Sequence, residues 1–149
     1  ERNIITSLDL DSGRQELHNI ALQAKYKEIE KNETRYEAIQ CDDADYLIVA
    51  YGTSARLSQK AIDILRAEGI KVGLLRPITL FPFPTEIISK LAGQVKGILT
   101  VEMSAGQMIE DVRLAVGCKV KVEHFGRMGG IIPSPTEVVE AMHKKIIGG

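Results

Sequence analysis

Hydrophobic and polar positions along this chain switch between two periods, and the switches mark its elements. From Tyr46 to Tyr51 the residues are continuously apolar, between Asp45 and Gly52. A short run that is apolar on both faces predicts a strand in the middle of a helix-covered sheet. Gly52 supplies the backbone freedom for a sharp turn. Leu57, Ala61, Ile64 and Leu65 then recur at helical spacing, with Arg56, Lys60, Asp63 and Arg66 turned away. Gly69 predicts a left-handed cap, and Lys71 to Leu75 opens the next strand. This β-α-β unit is expected to be right-handed.

The same reading extends in both directions. Ser12 to Gln15 has the spacing of a capping box and predicts a helix over 13–33. Leu17, Ile20, Ala21 and Ala24 form its apolar stripe, widened by Leu22, Tyr26 and Ile29, and its second half is heavily charged. A short strand is expected at 36–40. Only about five residues separate it from the strand at Tyr46, too few for a parallel crossover, so it should run antiparallel. Downstream, Thr85–Ala92 reads as a helix with Pro84 in its first turn, and 97–103 as a further buried strand. Ser104 to Gln107 suggests another capping box, leading to a helix whose face is Met108, Ile109, Val112, Ala115 and Val116. Lys119 to Phe125 alternates and predicts an edge strand. Ser134-Pro-Thr-Glu137 is a third capping box, with a last helix presenting Val138, Val139, Met142 and Ile146. The fold class that follows is α/β: a three-layer sandwich with a five-stranded mixed sheet.

Composition removes several functions. The 149 residues carry a net charge of −1 with no basic run, which argues against nucleic acid and anionic membrane surfaces as partners. No apolar stretch is long enough for a membrane span, and no signal-peptide pattern precedes the first helix, so a reduced cytoplasm is the expected location. Chain start at Glu1 suggests a piece of a longer protein. Cys41 and Cys118 are too few and too far apart for an iron–sulfur cluster or zinc site. Asp42, Asp43 and Asp45 precede a strand, whereas site carboxylates of open sheets lie after one, so they read as a solvated loop.

Candidate chemistry is sparse. Gly52, Thr53 and Ser54 open a helix after a strand and are a weak anion-site candidate, lacking the spacing of either common phosphate loop. Glu102 ends a central strand without an evident partner, and His18, His124 and His143 have no ligand spacing. No catalytic, cofactor-binding or metal residue is assigned. The residues suited to protein contact are Arg76, Phe81, Phe83, Arg127 and Met128, in proline- or glycine-rich loops expected at one edge of the sheet. For Phe81 and Phe83 two alternatives stand: docking on another domain, or closing the domain's own core.

Four stretches, DADYLIVAYGTSAR, IKVGLLRPITLFPFP, VEMSAGQMIEDVR and FGRMGGIIPSPTEV, resemble in order and spacing domain II of 2-oxoacid:ferredoxin oxidoreductase α subunits, nearest to the 2-oxoisovalerate type. The resemblance runs from about Leu8 to the C-terminus. It implies the transketolase C-terminal fold, with strand order 1-3-2-4-5 and strand 1 antiparallel. It divides the chain into a connector arm and long helix (1–35) and an α/β domain (36–149). It implies a complex that oxidatively decarboxylates a 2-oxoacid to an acyl-CoA and passes electrons to ferredoxin. Thiamine diphosphate, Mg2+ and iron–sulfur clusters would lie elsewhere in that complex. The partners implied are the pyrimidine-binding domain of the same subunit and the other oxidoreductase subunits. Competing readings are the equivalent domain of a transketolase or a 2-oxoacid dehydrogenase β subunit, and a free-standing anion-binding module.

Overall fold

The computed structural model describes residues 8–148. Eleven elements follow one another: α1 (Ser12–Glu33), β1 (Tyr36–Ile39), β2 (Tyr46–Ala50), α2 (Gly52–Ala67), β3 (Val72–Pro77), α3 (Thr85–Ala92), β4 (Ile98–Glu102), α4 (Met108–Val116), β5 (Val122–Gly126), α5 (Pro135–Met142) and a π-helical turn (His143–Ile147). The sheet order is β1-β3-β2-β4-β5. Strand β1 pairs antiparallel with β3, and the other pairings are parallel.

The period-two alternation of the central strands sorts the core into two layers. Ile48, Leu74, Leu99 and Val101 face α2 and α5, meeting Ala61, Ile62, Leu65, Val138 and Met142. Leu47, Val49, Leu75 and Ile98 point the other way, onto Ile88 and Leu91 of α3 and Met108, Val112 and Val116 of α4. Each such large side chain, fully buried, contributes about 1.5–3 kcal/mol. The buried face of α2 differs from the expected one. Ser54, Ser58 and Ile62 are buried, while Leu57 and Ile64 are only half-buried. Small residues there let the helix approach the sheet closely, which a count of apolar positions alone does not show.

The antiparallel first strand is held by a short crossing. Gln40, with φ of 54°, turns the chain after β1. A Cβ at Gly73 would meet the Gln40 carbonyl at 2.9 Å and the Cys41 Cα at 3.0 Å, so β3 needs glycine where the turn passes over it. Arg66 locks the crossing from α2, donating to the carbonyls of Val72 (2.9 Å) and Gln40 (2.8 Å) and to Asp43 (2.7 Å). Asp43 and Asp45 are thus ion-pair partners, Asp45 with Lys96 at 2.7 Å.

Several local expectations are corrected. The cap of α1 is Asp11, accepting from Arg14 N at 2.9 Å, not Ser12, because Asp11 already holds the extended backbone that a cap requires. Helix α4 begins at Met108 and its N-cap residue, Gln107, makes no side-chain cap bond, so Ser104 does not form the second capping box. The third is present as predicted, Ser134 and Glu137 bonding reciprocally with Pro135 in the first turn. Arg76 and Pro77 belong to β3 rather than to the loop after it, because β1 extends the pairing to Tyr36↔Pro77. Tyr51 and Met103, read as strand residues, lie just beyond β2 and β4 and are exposed. Strand β5 starts at Val122, later than Lys119. No residue of α1 is buried, so the stripe at Leu17 and Ile20 is bare. Most of the arm expected before α1, residues 1–7, lies outside the described residues.

Candidate functional site

All four parallel strands point their C-terminal ends the same way, and antiparallel β1 begins at that same edge. Each strand end delivers large apolar side chains to the surface there. Tyr36 stands at the start of β1, and Ile78, Leu80 and Phe81 follow β3. Tyr51 follows β2, Met103 follows β4, and Met128, Ile131 and Ile132 follow β5. Phe81 is 64% exposed and Met128 60%. Among the described residues, the only other exposed large apolar side chain outside α1 and its lead-in is Leu114. Exposed large apolar side chains thus gather at this edge and along α1.

The loop after β3 is firmly tied. The N–H groups of Ile78 and Thr79 donate to the Arg35 carbonyl (2.9 and 3.2 Å), and the Thr79 hydroxyl donates to the Pro82 carbonyl at 2.8 Å. The Phe81–Pro82 peptide bond is cis. Phe81 turns outward and meets the ring of Tyr26 from α1 edge-to-face, centroids 6.1 Å apart. Phe83 turns inward and packs with Ile87 on the α3–α4 layer. Phe83 thus follows the core-closing alternative, and Phe81 does not. Arg76 spends its guanidinium on Glu37, its register partner across the β1–β3 pair, at 2.8 Å.

At the other side of the edge Arg127 pairs with Glu137 at 3.2 Å. Bonds from Ser134 and the nearby Arg127 hold the Glu137 carboxyl below the usual carboxylate range. Strands β2 and β4 lie between β3 and β5, and three interstrand steps of about 4.8 Å keep the two predicted loops roughly 14 Å apart. Phe81 and Arg127 thus bracket the edge and do not share one patch. Tyr51 and Met103 fill the interval. The sequence reading missed both because each ends an unbroken apolar run, and the signal available was the position of the last residue of each run, just past the strand.

Between these loops lies Glu102, 1% exposed at the end of β4. Its Oε2 accepts from the N–H groups of Gln107 (3.0 Å) and Met108 (2.8 Å) and from the Ser104 hydroxyl (2.9 Å). Its Oε1 accepts from Ile109 N–H at 3.0 Å, with His124 Nε2 3.9 Å away. The carboxylate satisfies the free amides that open α4, the task the sequence reading gave to Ser104. It is fully engaged in the fold.

The remaining candidates do not converge. Gly52, with φ of +56°, and Thr53 are exposed, whereas Ser54 is buried on the inward face of the first turn of α2. His143 pairs with Glu68 at 2.8 Å. Cys41 is buried, with its thiol against the Leu74 carbonyl at 3.3 Å, and Cys118 is exposed. Burial pushes the Cys41 thiol up to about 11. Among the described residues no three His, Cys, Asp or Glu come together as a metal site. These residues do not fit a magnesium ion or an iron–sulfur cluster. None of the described helices is long and apolar enough to cross a membrane.

Residues 44–138 match the family described as pyruvate:ferredoxin oxidoreductase core domain II. The chain is 49% identical over 143 residues to the ketoisovalerate oxidoreductase subunit VorB of Methanothermobacter thermautotrophicus, covering 96% of this chain and 40% of that relative's length. Its fold is similar to a 2-oxoglutarate:ferredoxin oxidoreductase from Magnetococcus marinus, with a TM-score of 0.80 at 21% identity over 96% of this chain and 26% of the other. It is also similar to a split-gene transketolase, with a TM-score of 0.63 at 21% identity over 74% of this chain and 40% of the other.

Proposed function

Because the chain belongs to the pyruvate:ferredoxin oxidoreductase core domain II family, we propose that it is a non-catalytic docking domain of a 2-oxoacid:ferredoxin oxidoreductase subunit, with 2-oxoisovalerate as the substrate of the whole enzyme. The whole enzyme converts a 2-oxoacid, CoA and oxidised ferredoxin to acyl-CoA, CO2 and reduced ferredoxin. Thiamine diphosphate, Mg2+ and iron–sulfur clusters act in other parts of the assembly. Residues 1–35 serve as the connector, and 36–149 form the docking domain. Its contribution to rate is geometric, since reacting groups held in place react faster even when the holding is remote.

The observation that carries this reading is that, among the described residues, every exposed large apolar side chain except Leu114 lies at the C-terminal edge of the sheet or on α1 and its lead-in. The occupant of the edge is the pyrimidine-binding domain of the same subunit, with the other subunits assembling on the pair. Two observations favour that occupant. The chain spans about two fifths of its relative's length, leaving a whole domain's worth of subunit to be accommodated. Helix α1 and the link that follows it also join the domain at this edge, through Tyr26 of the helix on Phe81 and Arg35 of the link on Thr79. Gly52–Ser54, as an anion site, is a secondary reading with no converging side chains behind it.

The test is the double variant Phe81→Ala, Arg127→Ala in the full-length subunit. Assembly with the partner subunits should fall while the melting temperature of this domain stays near that of the parent. Normal assembly, or equal loss of assembly and stability, would contradict the docking edge.

A further inference from the structure

The docking edge is built from separate loops, and two of them meet at one residue. The side chain of Glu102 gathers the loop after β4: Gln107, Met108 and Ile109 through their amides, and Ser104 through its hydroxyl. The main-chain carbonyl of the same residue accepts from Arg127 N–H at 3.2 Å, which fixes the start of the loop after β5. One side chain and one carbonyl therefore set the positions of Met103 and of Arg127–Met128.

The space around this node allows little adjustment. Gly106 has φ of +107°, and a Cβ there would meet Ile109 at 3.2 Å. A Cβ at Gly126 would meet the Ser104 carbonyl at 2.4 Å, so the end of β5 lies directly against the loop after β4. With its carboxylate turned into the loop and its neighbours pressed together, Glu102 leaves Met103 pointing out at 40% exposure. A serine or aspartate cap placed at residue 107 would satisfy α4 but would leave the 103–106 segment without the carboxylate that gathers it, next to the carbonyl that holds Arg127.

We propose that Glu102 is a positioning residue for partner docking: its carboxylate and carbonyl together hold the loops after β4 and β5 in the arrangement that the pyrimidine-binding domain recognises. This rests on the docking-edge reading above. It adds a specific claim, that the loop 103–107 is part of the contact and that its preorganisation, not only the stability of the fold, sets the strength of assembly.

The test uses the full-length subunit and its partners. Glu102→Gln is expected to lose amide-hydrogen protection at 107–109 and to weaken assembly by about tenfold or more. Val112→Ala, a core change in the same helix with a comparable fall in melting temperature, should leave assembly near normal. Met103→Ala, which leaves the cap intact, should weaken assembly with no change in melting, and it decides the matter if Glu102→Gln does not fold. Normal assembly of Met103→Ala, or equal weakening by Val112→Ala and Glu102→Gln, overturns the proposal. If these variants behave normally while Phe81→Ala, Arg127→Ala fails to assemble, the positioning role falls and the docking edge stands. If that double variant also assembles normally, the docking reading falls with it.

Discussion

The carboxylate of Glu102 accepts the backbone N–H of Met108 at 2.8 Å, so the last residue of a central strand caps the helix that follows it. The bond is one of four to a side chain shielded from water. Removing it leaves helix-opening amides unpaired in the interior. Glu102→Ala is expected to lower unfolding free energy by about 2–4 kcal/mol, the loss of a cap plus the desolvation of its abandoned donors. Urea unfolding of parent and variant measures it, and a loss under about 0.5 kcal/mol would show that the cap is replaceable.

Gly52 turns the chain from β2 into α2 with φ of +56°. A Cβ there would meet nothing within 4 Å, so backbone strain is the main expected cost of substitution. Gly52→Val should destabilise by about 1–3 kcal/mol. An unchanged melting temperature would mean that the turn relaxes to a negative φ at no cost.

Much of this architecture was legible in the sequence because the interior strands carry unbroken apolar runs and the helices carry apolar positions at helical spacing. The face of α4 from Met108 to Val116 and the capping box at Ser134 are as the pattern predicts. Strand order was not legible from spacing: a short β1–β2 link dictates an antiparallel strand but not that it lies beside β3, and the family resemblance supplied that. The edge was legible only in part. Phe81 and Met128 stand out by residue type, yet type alone does not show that Phe83 turns inward or that Arg76 is committed to Glu37. Glu102 could not be read as a cap, because its partners lie two to seven residues ahead and no local motif names them.

The two cysteines should differ sharply. Burial raises the Cys41 thiol from 9.0 to about 11, while Cys118 is exposed. A disulfide reagent at pH 8 should titrate one thiol per folded chain, at Cys118, and both in denaturant. The linkage has a defined sign. A raised folded-state value means that the neutral thiol is favoured, so its stabilising contribution is full below about 9 and is lost as the pH rises through about 11. Rapid labelling of Cys41 in the folded chain would show that its site opens readily.

The chain expressed alone is expected to fold, since each face of the sheet has its own buried layer. It should bind no thiamine diphosphate, because its described residues gather no metal-ligand cluster and the Gly52–Ser54 turn has no converging side chains. Isothermal calorimetry with the cofactor and Mg2+ checks this, and measurable binding would return the Gly52–Ser54 turn to consideration.

The most direct measurement is hydroxyl-radical footprinting of the complete enzyme against this chain alone. In the chain alone Phe81, Met103 and Met128 are exposed, as is Leu114 on the outer face of α4. The docking edge predicts that Phe81, Met103 and Met128 become protected from oxidation in the complete enzyme while Leu114 does not. Equal oxidation of the three edge residues in both samples would contradict it.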